Sequence, residues 1–369
     1  MIDIDASAGE GGGQVLRSSL SLSLLTGTPI TLTGIRGRRP KPGLMRQHLT
    51  CVQAAQAIAP GATVQGAELG SQQLRFVPAP VQPGAYRFEI ATAGSCLLVL
   101  QTVWLPLALA GGASELELSG GTHNPMAPPF PFIEQAFAPL LARLGAPAEL
   151  ELQRAGFYPA GGGRLKVRIA PAAALQPFDL LEPGALKARR AQAMAPGLPR
   201  SIAERELQTL AGQLDWPGDA LEVLPCRQNE GPGNALWARL EHEVLTELFC
   251  AFGEKGRTAE DVAREVARAV QRHQQTGAAL GPQLADQWLL PLALAVAQSG
   301  RGATFSASEW TEHARTNAGL VERFLPVVMH VTKAQGNAVR VELLPRPLGQ
   351  NSRPDPPGTR PRGSWFGNS

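Results

Sequence analysis

The residues best suited to chemistry in this chain are arginines set among glycines. The stretch GEGGGQVLR (residues 9–17) runs three glycines in a row just before Arg17. Backbone N–H groups at a glycine turn or a helix start attract anions, so such a stretch can cradle a phosphate. No Gly-Lys-Ser/Thr follows it, and its spacing is not that of a dinucleotide fingerprint, which sets aside both of those sites. Taken alone, a glycine cluster is equally a tight turn. The surrounding charge tips the balance. From residue 11 to residue 67 there is no Asp or Glu, while Arg17, Arg36, Arg38, Arg39, Lys41 and Arg46 fall in that span. A long one-sign segment broken by glycine and proline points to an anionic ligand: a nucleotide, a polyphosphate or a nucleic-acid backbone. The chain also has 6 histidines. A neutral imidazole is a good nucleophile toward phosphorus and a fair leaving group afterwards. Residue type alone does not choose among the histidines.

These residues have to be held in place by regular elements. Residues 2–5 alternate apolar and acidic and predict a short strand, and residues 18–25 predict an apolar helix. Two distant stretches are nearly the same, WLPLALA at residues 104–110 and WLLPLALA at 288–295. Aligned on Pro106 and Pro291, each leads through a glycine turn to a short strand (114–119 and 303–307) and then a polar loop. Each polar loop leads to an amphipathic helix (131–144 and 318–327) and closes on alternating strands. The N-terminal part follows the same plan, with a strand at 30–35, a loop at 36–41, a helix at 42–58 and strands at 62–64 and 74–77. Repetition at this length means repeated domains. The expected fold is therefore α+β, with two layers per unit. The polar loops carry Arg36 to Arg39, then Thr122, His123 and Asn124, then Thr311, Glu312 and His313. If the units pack about one axis, these loops converge.

The pattern is missing from residues 184–277, which read as an inserted small α/β domain ending in a helix at 259–273. Thr258 and Asp261 form a capping pair at its start, and Arg264, Arg268 and Arg272 line a stripe that reads as a solvated face with carboxylate partners. The expected divisions are 1–183, 184–277, 278–345 and a Pro- and Arg-rich tail at 346–369 that is too poor in aliphatic residues to order itself. With 369 residues and 44% hydrophobic content the chain can bury a good core, and a net charge of +3 does not by itself argue for nucleic acid. The four cysteines, Cys51, Cys96, Cys226 and Cys250, have no metal or redox spacing and read as buried free thiols in a reducing compartment. Prolines interrupt the longest apolar runs, and no signal-peptide pattern opens the chain, so a cytoplasmic protein without a membrane span is expected.

A family resemblance rests on motifs along the length of the chain. EGGGQVLRS (10–18), RPKPGLMRQHL (39–49), GAELGSQ (66–72), AGSCLLVLQT (93–102) and SGGTHNPMAPP (119–129) are among them. GFYPAGGG (156–163), NEGPGN (229–234), GEKG (253–256), LADQWLLPLALA (284–295), and HARTN (313–317) followed by VERFLPV (321–327) complete the set. In this order they resemble RNA 3′-terminal phosphate cyclase over about residues 1–345. The resemblance implies three units like the C-terminal domain of translation initiation factor 3, with a smaller domain inserted before the third.

What the resemblance implies chemically is ATP-dependent conversion of an RNA 3′-phosphate into a 2′,3′-cyclic phosphodiester through a covalent histidine–AMP. ATP is then a substrate, Mg²⁺ or Mn²⁺ the metal, and an RNA with a 3′-phosphate end the partner. It makes His313 the nucleophile and Glu10 the metal contact. Arg17, Arg36 and Arg39 become phosphate contacts, with Gln47, Gln101, Pro128, Gln283, Asp286 and Gln287 at the nucleotide site and His48 supporting it. The chain departs from the family pattern at Gln283, where a tyrosine facing adenine is expected, and stacking there is weakened. Glu312 stands where an uncharged residue is expected, and its charge either bears on the histidine or points to solvent. Two rival readings are a non-catalytic RNA-binding or ribosome-assembly relative and an enzyme that adenylates 5′-phosphate ends. The presence of His313, Glu10 and the arginines argues against the first.

Overall fold

The computed structural model describes residues 1–9 and 12–346. The metal residue expected at Glu10 lies outside the described residues, as does the tail beyond Arg346. The chain starts with β1 (Ile2–Asp5), α1 (Gly13–Thr26), β2 (Ile30–Thr33), α2 (Arg46–Ala57), β3 (Thr63–Gln65) and β4 (Leu74–Val77). It continues with β5 (Ala85–Glu89), α3 (Cys96–Ala108), β6 (Ser114–Gly120), α4 (Phe130–Phe132), a π-helical turn (Ile133–Phe137), α5 (Ala138–Leu144), β7 (Ala148–Arg154) and β8 (Gly163–Ile169). The strands form two sheets, ordered β1-β2-β4-β3 and β5-β6-β8-β7. In each the first pair is parallel and the rest antiparallel. In-and-out alternation along β6 and β8 buries one face, as expected for a sheet covered by helices on one side.

The next segment holds β9 (Leu186–Met194), α6 (Arg200–Leu214), β10 (Leu221–Val223), β11 (Ala235–His242), β12 (Thr246–Phe252) and α7 (Ala259–Gln274). Its sheet, β10-β9-β11-β12, lies over a separate hydrophobic cluster that includes Leu207, Leu236, Leu240, Val262 and Val266. Thr258 Oγ1 accepts the Asp261 N–H at the start of α7, and Arg264 pairs with Asp261 at 2.7 Å. After it come α8 (Pro282–Ser299), β13 (Ala303–Ala307), α9 (Glu312–Phe324), β14 (Val327–Lys333) and β15 (Val339–Pro345), with sheet order β13-β15-β14.

This last sheet has a divided edge. Leu180 pairs in parallel with Phe305, and Leu280 pairs in parallel with Ala307. Leu180 gives its N–H to Thr304 and accepts from Ser306, both at 2.9 Å, and Leu280 continues the ladder with Ser306 and Ser308. Phe305 and Ala307 are alternate residues of β13, so Leu180 and Leu280 stand as alternate residues of one edge line. The chain leaves that line, builds the β9–β12 sheet with its helices, and returns to it. Glu247 of β12 fastens the return. Its buried carboxylate accepts the N–H of Gly281, the residue that caps α8, at 2.6 Å. Burial pushes the Glu247 carboxyl up to about 8, against the backbone bonds from Gly281 and Leu248.

The central helices meet in one continuous core. α1 packs on α2, α3 and α9, and α8 packs on α9. Trp104 of α3 and Trp288 of α8 are fully enclosed. Pro106 lies inside α3, where it cannot donate to the carbonyl four residues back. Ser21 of α1 supplies the missing donor, its Oγ reaching Thr102 O at 2.6 Å. No helix among the described residues is long and apolar enough to cross a membrane.

Several expected boundaries move. α1 begins at Gly13 rather than residue 18, so Arg17 lies within the helix. Gly13 is in the helix because of space, since a Cβ there would stand 2.3 Å from His48 Nε2 and 2.9 Å from Arg17. α2 starts at Arg46, not Pro42, because Gly43 and Leu44 bond outward to Ile35 and Ser71 instead of entering a helix. α9 spans Glu312–Phe324 rather than 318–327. Thr311 caps its start by accepting the Ala314 N–H, and Pro326 bars its continuation. His313 therefore lies in the first turn of a helix, not in a loop. β5 was not foreseen. Of the four free cysteines, Cys51 and Cys96 are buried, while Cys226 and Cys250 are only half-buried.

Candidate active site

Three of the central helices turn one face each toward a common cleft. α1 brings Gln14, Arg17, Ser18 and Ser21; α3 brings Gln101 and Trp104; α8 brings Asp286, Gln287 and Pro291. Asn317 of α9 joins them. The enclosed part is ≈ 60 Å³, far below the roughly 300 Å³ at which pockets for small molecules begin. It is the floor of a site rather than a whole nucleotide pocket. Residues 14, 17, 18 and 21 stand at i, i+3, i+4 and i+7 along α1, which is why one face supplies all four.

A chain of hydrogen bonds crosses this floor. Gln101 Nε2 donates to Gln287 Oε1 at 2.6 Å, and Gln287 Nε2 donates to Asp286 Oδ2 at 2.9 Å. Gln14 Nε2 donates to Asp286 Oδ1 at 2.6 Å, and Gln14 Oε1 meets His313 Nδ1 at 2.8 Å. Asn317 braces the junction, taking the Ser18 hydroxyl proton at 2.9 Å and donating to Asp286 O at 3.3 Å. Burial pushes the Asp286 carboxyl up, while the Gln14 bond and the charges of His313 and Arg17 pull it back. Arg17 is moved the other way. Burial lowers its pKa, and the Cys51 thiol and Asp286 oppose that. A cation and a carboxylate that share a half-dry cleft are each costly to bury and each helped by the other.

Positive charge continues from Arg17 toward the loop after β2. His48 is buried behind Gly13 and accepts the Met45 N–H on Nδ1 at 3.2 Å, so its Nε2 carries the proton. Burial, then Arg17, then Arg36, drive its pKa down to about 3. His48 is therefore a neutral wedge between cations. Arg36 sits at φ 52, a left-handed conformation, and donates to the carbonyls of Lys41 and Gly43. Burial, and then Arg39 nearby, lower its pKa. The loop thus holds Arg36 and Arg39 close together against their mutual repulsion, a geometry suited to an anion that would relieve it.

The remaining expected residues sit farther out. Gln47 accepts the Ser95 N–H at 3.2 Å and joins α2 to the start of α3. Gln283 is exposed in the first turn of α8, one turn before Gln287. Pro128 is half-buried in the loop ahead of α4 and does not line the cleft floor. His123 is a core residue, stacked on Phe157 at 4.8 Å and bonded to Thr122, with its pKa lowered to about 4 by burial. Its loop packs toward Phe157 and Trp237. Glu312 is more than half exposed and pairs with Arg315 at 3.2 Å, so its charge is turned to solvent. Among the described residues no three His, Cys, Asp or Glu side chains cluster in a way that could hold a metal ion. Gln14 and Asn317 were missed as site residues. Gln14 carries no local signal; it falls one turn before Arg17 and Ser18 on the same face only because α1 begins at Gly13 and not at residue 18.

The family profile described as RNA 3′-terminal phosphate cyclase matches residues 8–331. The chain is 48% identical over 335 residues to an RNA 3′-terminal phosphate cyclase of Salmonella agona, which covers 91% of this chain and 95% of that protein. It is also 48% identical over 336 residues to the protein of that name from Salmonella paratyphi C, with the same coverage. A solved enolpyruvyl transferase, NikO from Streptomyces tendae, aligns at a TM-score of 0.29 and 16% identity over 46% of this chain and 32% of that one, too weak a likeness to argue from.

Proposed function

Because the chain belongs to the RNA 3′-terminal phosphate cyclase family, we propose that it is an ATP-dependent ligase that closes an RNA 3′-phosphate to a 2′,3′-cyclic phosphodiester. The steps balance as three displacements at phosphorus. The His313 imidazole attacks the α-phosphorus of ATP, an N–P bond forms, and the bond to diphosphate breaks. An oxygen of the RNA 3′-phosphate then takes the AMP group and frees the histidine. Finally the adjacent 2′-OH attacks the activated phosphate, loses its proton and expels AMP. Covalent catalysis of this kind divides one difficult exchange into easier ones.

One observation carries the reading. Three helices bring Arg17, Gln101, Asp286 and Gln287 to one floor, and His313 on a fourth is bonded to that floor through Gln14. Arg17, with Arg36 and Arg39 beyond His48, supplies the charge that a polyphosphate leaving group and a crowded phosphorus need. His48 is kept neutral and spaces these cations. Gln47 holds the start of α3, Gln287 ties α8 to Gln101 of α3, and Pro128 and Gln283 are assigned to adenine. Mg²⁺ or Mn²⁺ is assigned to Glu10 and the substrate phosphates, since such an ion uses few protein carboxylates and neutralises phosphate oxygens.

We read the three sheets of like order as copies of one unit, the first two within 1–183 and the third within 278–345, with 184–277 as a smaller domain inserted between them. The reading places the protein in the cytoplasm, which its four unpaired cysteines support. The experiment is incubation with α-labelled ATP and a divalent metal, followed by a 3′-phosphate oligoribonucleotide. A phosphoramidate-linked AMP adduct and a cyclic end are expected from the wild type and neither from His313→Ala. Equal labelling of His313→Ala would remove the nucleophile assignment. Transfer to 5′-phosphate ends only, or RNA binding without any adduct, would replace the reading by one of its rivals.

A further inference from the structure

We infer that Gln14 is a positioning residue that fixes the reacting tautomer of His313 by relaying the Asp286 carboxylate through a neutral amide. The inference rests on the histidine–AMP reading above and deepens it. It starts from donors and acceptors. Both Asp286 oxygens are acceptors, taking the NH₂ ends of Gln14 and Gln287 at 2.6 Å and 2.9 Å. With its NH₂ turned to Asp286, Gln14 presents its carbonyl to His313, 2.8 Å from Nδ1. A carbonyl only accepts, so His313 Nδ1 must carry the proton and donate it. In the neutral ring the lone pair is then on Nε2. A free histidine side chain prefers the opposite arrangement, with the proton on Nε2, so this environment reverses the default.

The consequence for the reaction is specific. The N–P bond forms at Nε2, the bond from the α-phosphorus to diphosphate breaks, and Nδ1 keeps its proton throughout. Positive charge that builds on the ring as Nε2 bonds to phosphorus is met at Nδ1 by the Gln14 carbonyl. That carbonyl is itself polarised by the carboxylate behind it, since linked hydrogen bonds reinforce one another in a low-dielectric setting. An interposed amide also differs from direct contact. A carboxylate touching an imidazole favours its charged form, and a protonated ring is no nucleophile. The amide keeps the orientation and passes on only part of the charge. The arrangement is rigid at both ends. Asn317 bonds the Asp286 carbonyl and Ser18, and Gln101 holds Gln287 on the far side. Gln14 itself sits in the first turn of α1, fixed by the close fit of Gly13 against His48.

Two readouts test the assignment on the full-length protein. The first needs no nucleotide: long-range ¹H–¹⁵N spectra of the His313 ring in ¹⁵N-histidine-labelled protein. In the neutral ring, wild type should show a protonated Nδ1 and an unprotonated Nε2. Gln14→Met, which keeps the length and removes the acceptor, should shift the ring toward the Nε2–H form. Asp286→Asn, which can offer either end of its amide to Gln14, should shift it in the same direction. The second readout is single-turnover formation of the AMP adduct. Gln14→Met should slow it about a hundred-fold, the scale of a misplaced reacting group, with little change in the ATP concentration for half-maximal rate.

A wild-type ring protonated at Nε2, or a Gln14→Met protein that keeps either the wild-type tautomer or the wild-type rate, overturns the inference. If Gln14→Met does not fold, the wild-type spectrum and Asp286→Asn decide it. The two readings fail separately. A ring that follows Gln14 in a protein that never forms the AMP adduct supports the relay and removes the function. An adduct that forms at full rate in Gln14→Met supports the function and removes the relay.

Discussion

Replacing Glu247 by Gln should leave stability nearly unchanged below about pH 4.5 and make the protein increasingly more stable than wild type as pH rises from there through about 8. Glu247 is buried where β12 meets the cap of α8. Its carboxyl, ordinarily at 4.5, is pushed up to about 8 in the folded state. The folded protein therefore binds this proton more tightly than the unfolded chain does. The associated stability is fully present below about 4.5 and is lost as pH rises through about 8. The whole gap corresponds to about 5 kcal/mol as an upper bound. Between about pH 6 and about pH 8.5 the linkage relation removes roughly 2–3 kcal/mol of it.

Glu206, pushed up to about 7 by burial, loses stability in the same direction, so the comparison has to be between wild type and variant. Gln cannot ionise, and its Oε1 can still accept the Gly281 N–H. Urea midpoints of the two proteins should agree at about pH 4, where Glu247 is protonated in both states. Between about pH 6 and about pH 8.5 the variant's lead over wild type should grow by about 2 kcal/mol. Parallel curves for the two proteins would show that Glu247 is not held protonated by its surroundings, and the argument would fail.

Two further perturbations address the site. Arg17→Ala should slow adduct formation by about 10²–10³-fold, as expected for loss of a group aimed at developing charge. It should also let the His48 pKa rise from about 3, since Arg17 is one of the charges that depress it; an unmoved His48 titration would place Arg17 elsewhere. Gly9 stands at φ +61, and a Cβ there would come 2.2 Å from Thr316 Oγ1 on α9. Gly9→Ala should therefore slow adduct formation by displacing α9, and Thr316→Ala in the same chain should recover part of the rate. No recovery would mean that backbone strain alone is responsible.

Residue patterns announced the helices around the site better than they announced its floor. The doubled Trp-Leu-Pro motif located α3 and α8, because nearly continuous apolar runs mark helices buried all round. Arg17, Gln101, Asp286 and Gln287 were reached through motif resemblance, and they do share a cleft. Gln14 was passed over because an amide near a glycine run carries no local signal; its importance comes from Asp286 and His313, both on other helices. The helix starts were misread for local reasons. Gly13 looked like a breaker, yet it is there to admit His48, and a tertiary contact overrode propensity. Thr311 was read as part of a loop although Thr followed by Glu is a serviceable cap for α9. The divided edge of the last sheet could not be seen at all, since its two pieces are single residues on either side of a long detour.

That divided edge sets an order of assembly. Asp179 and Leu181, beside Leu180, bond Thr304 and Ser306, residues 125 positions later in the chain. During synthesis the first half of the edge emerges with no sheet to join. Closing so long a loop in a flexible chain carries an entropic cost that delays such pairings. The β9–β12 sheet has its own apolar cluster, so it can condense while the ribosome is still making α8. Once it has, it presents Leu180 and Leu280 together, and the long loop becomes a short one. The detour is in this sense a jig: with its own sheet formed, it keeps the two edge segments in line for β13.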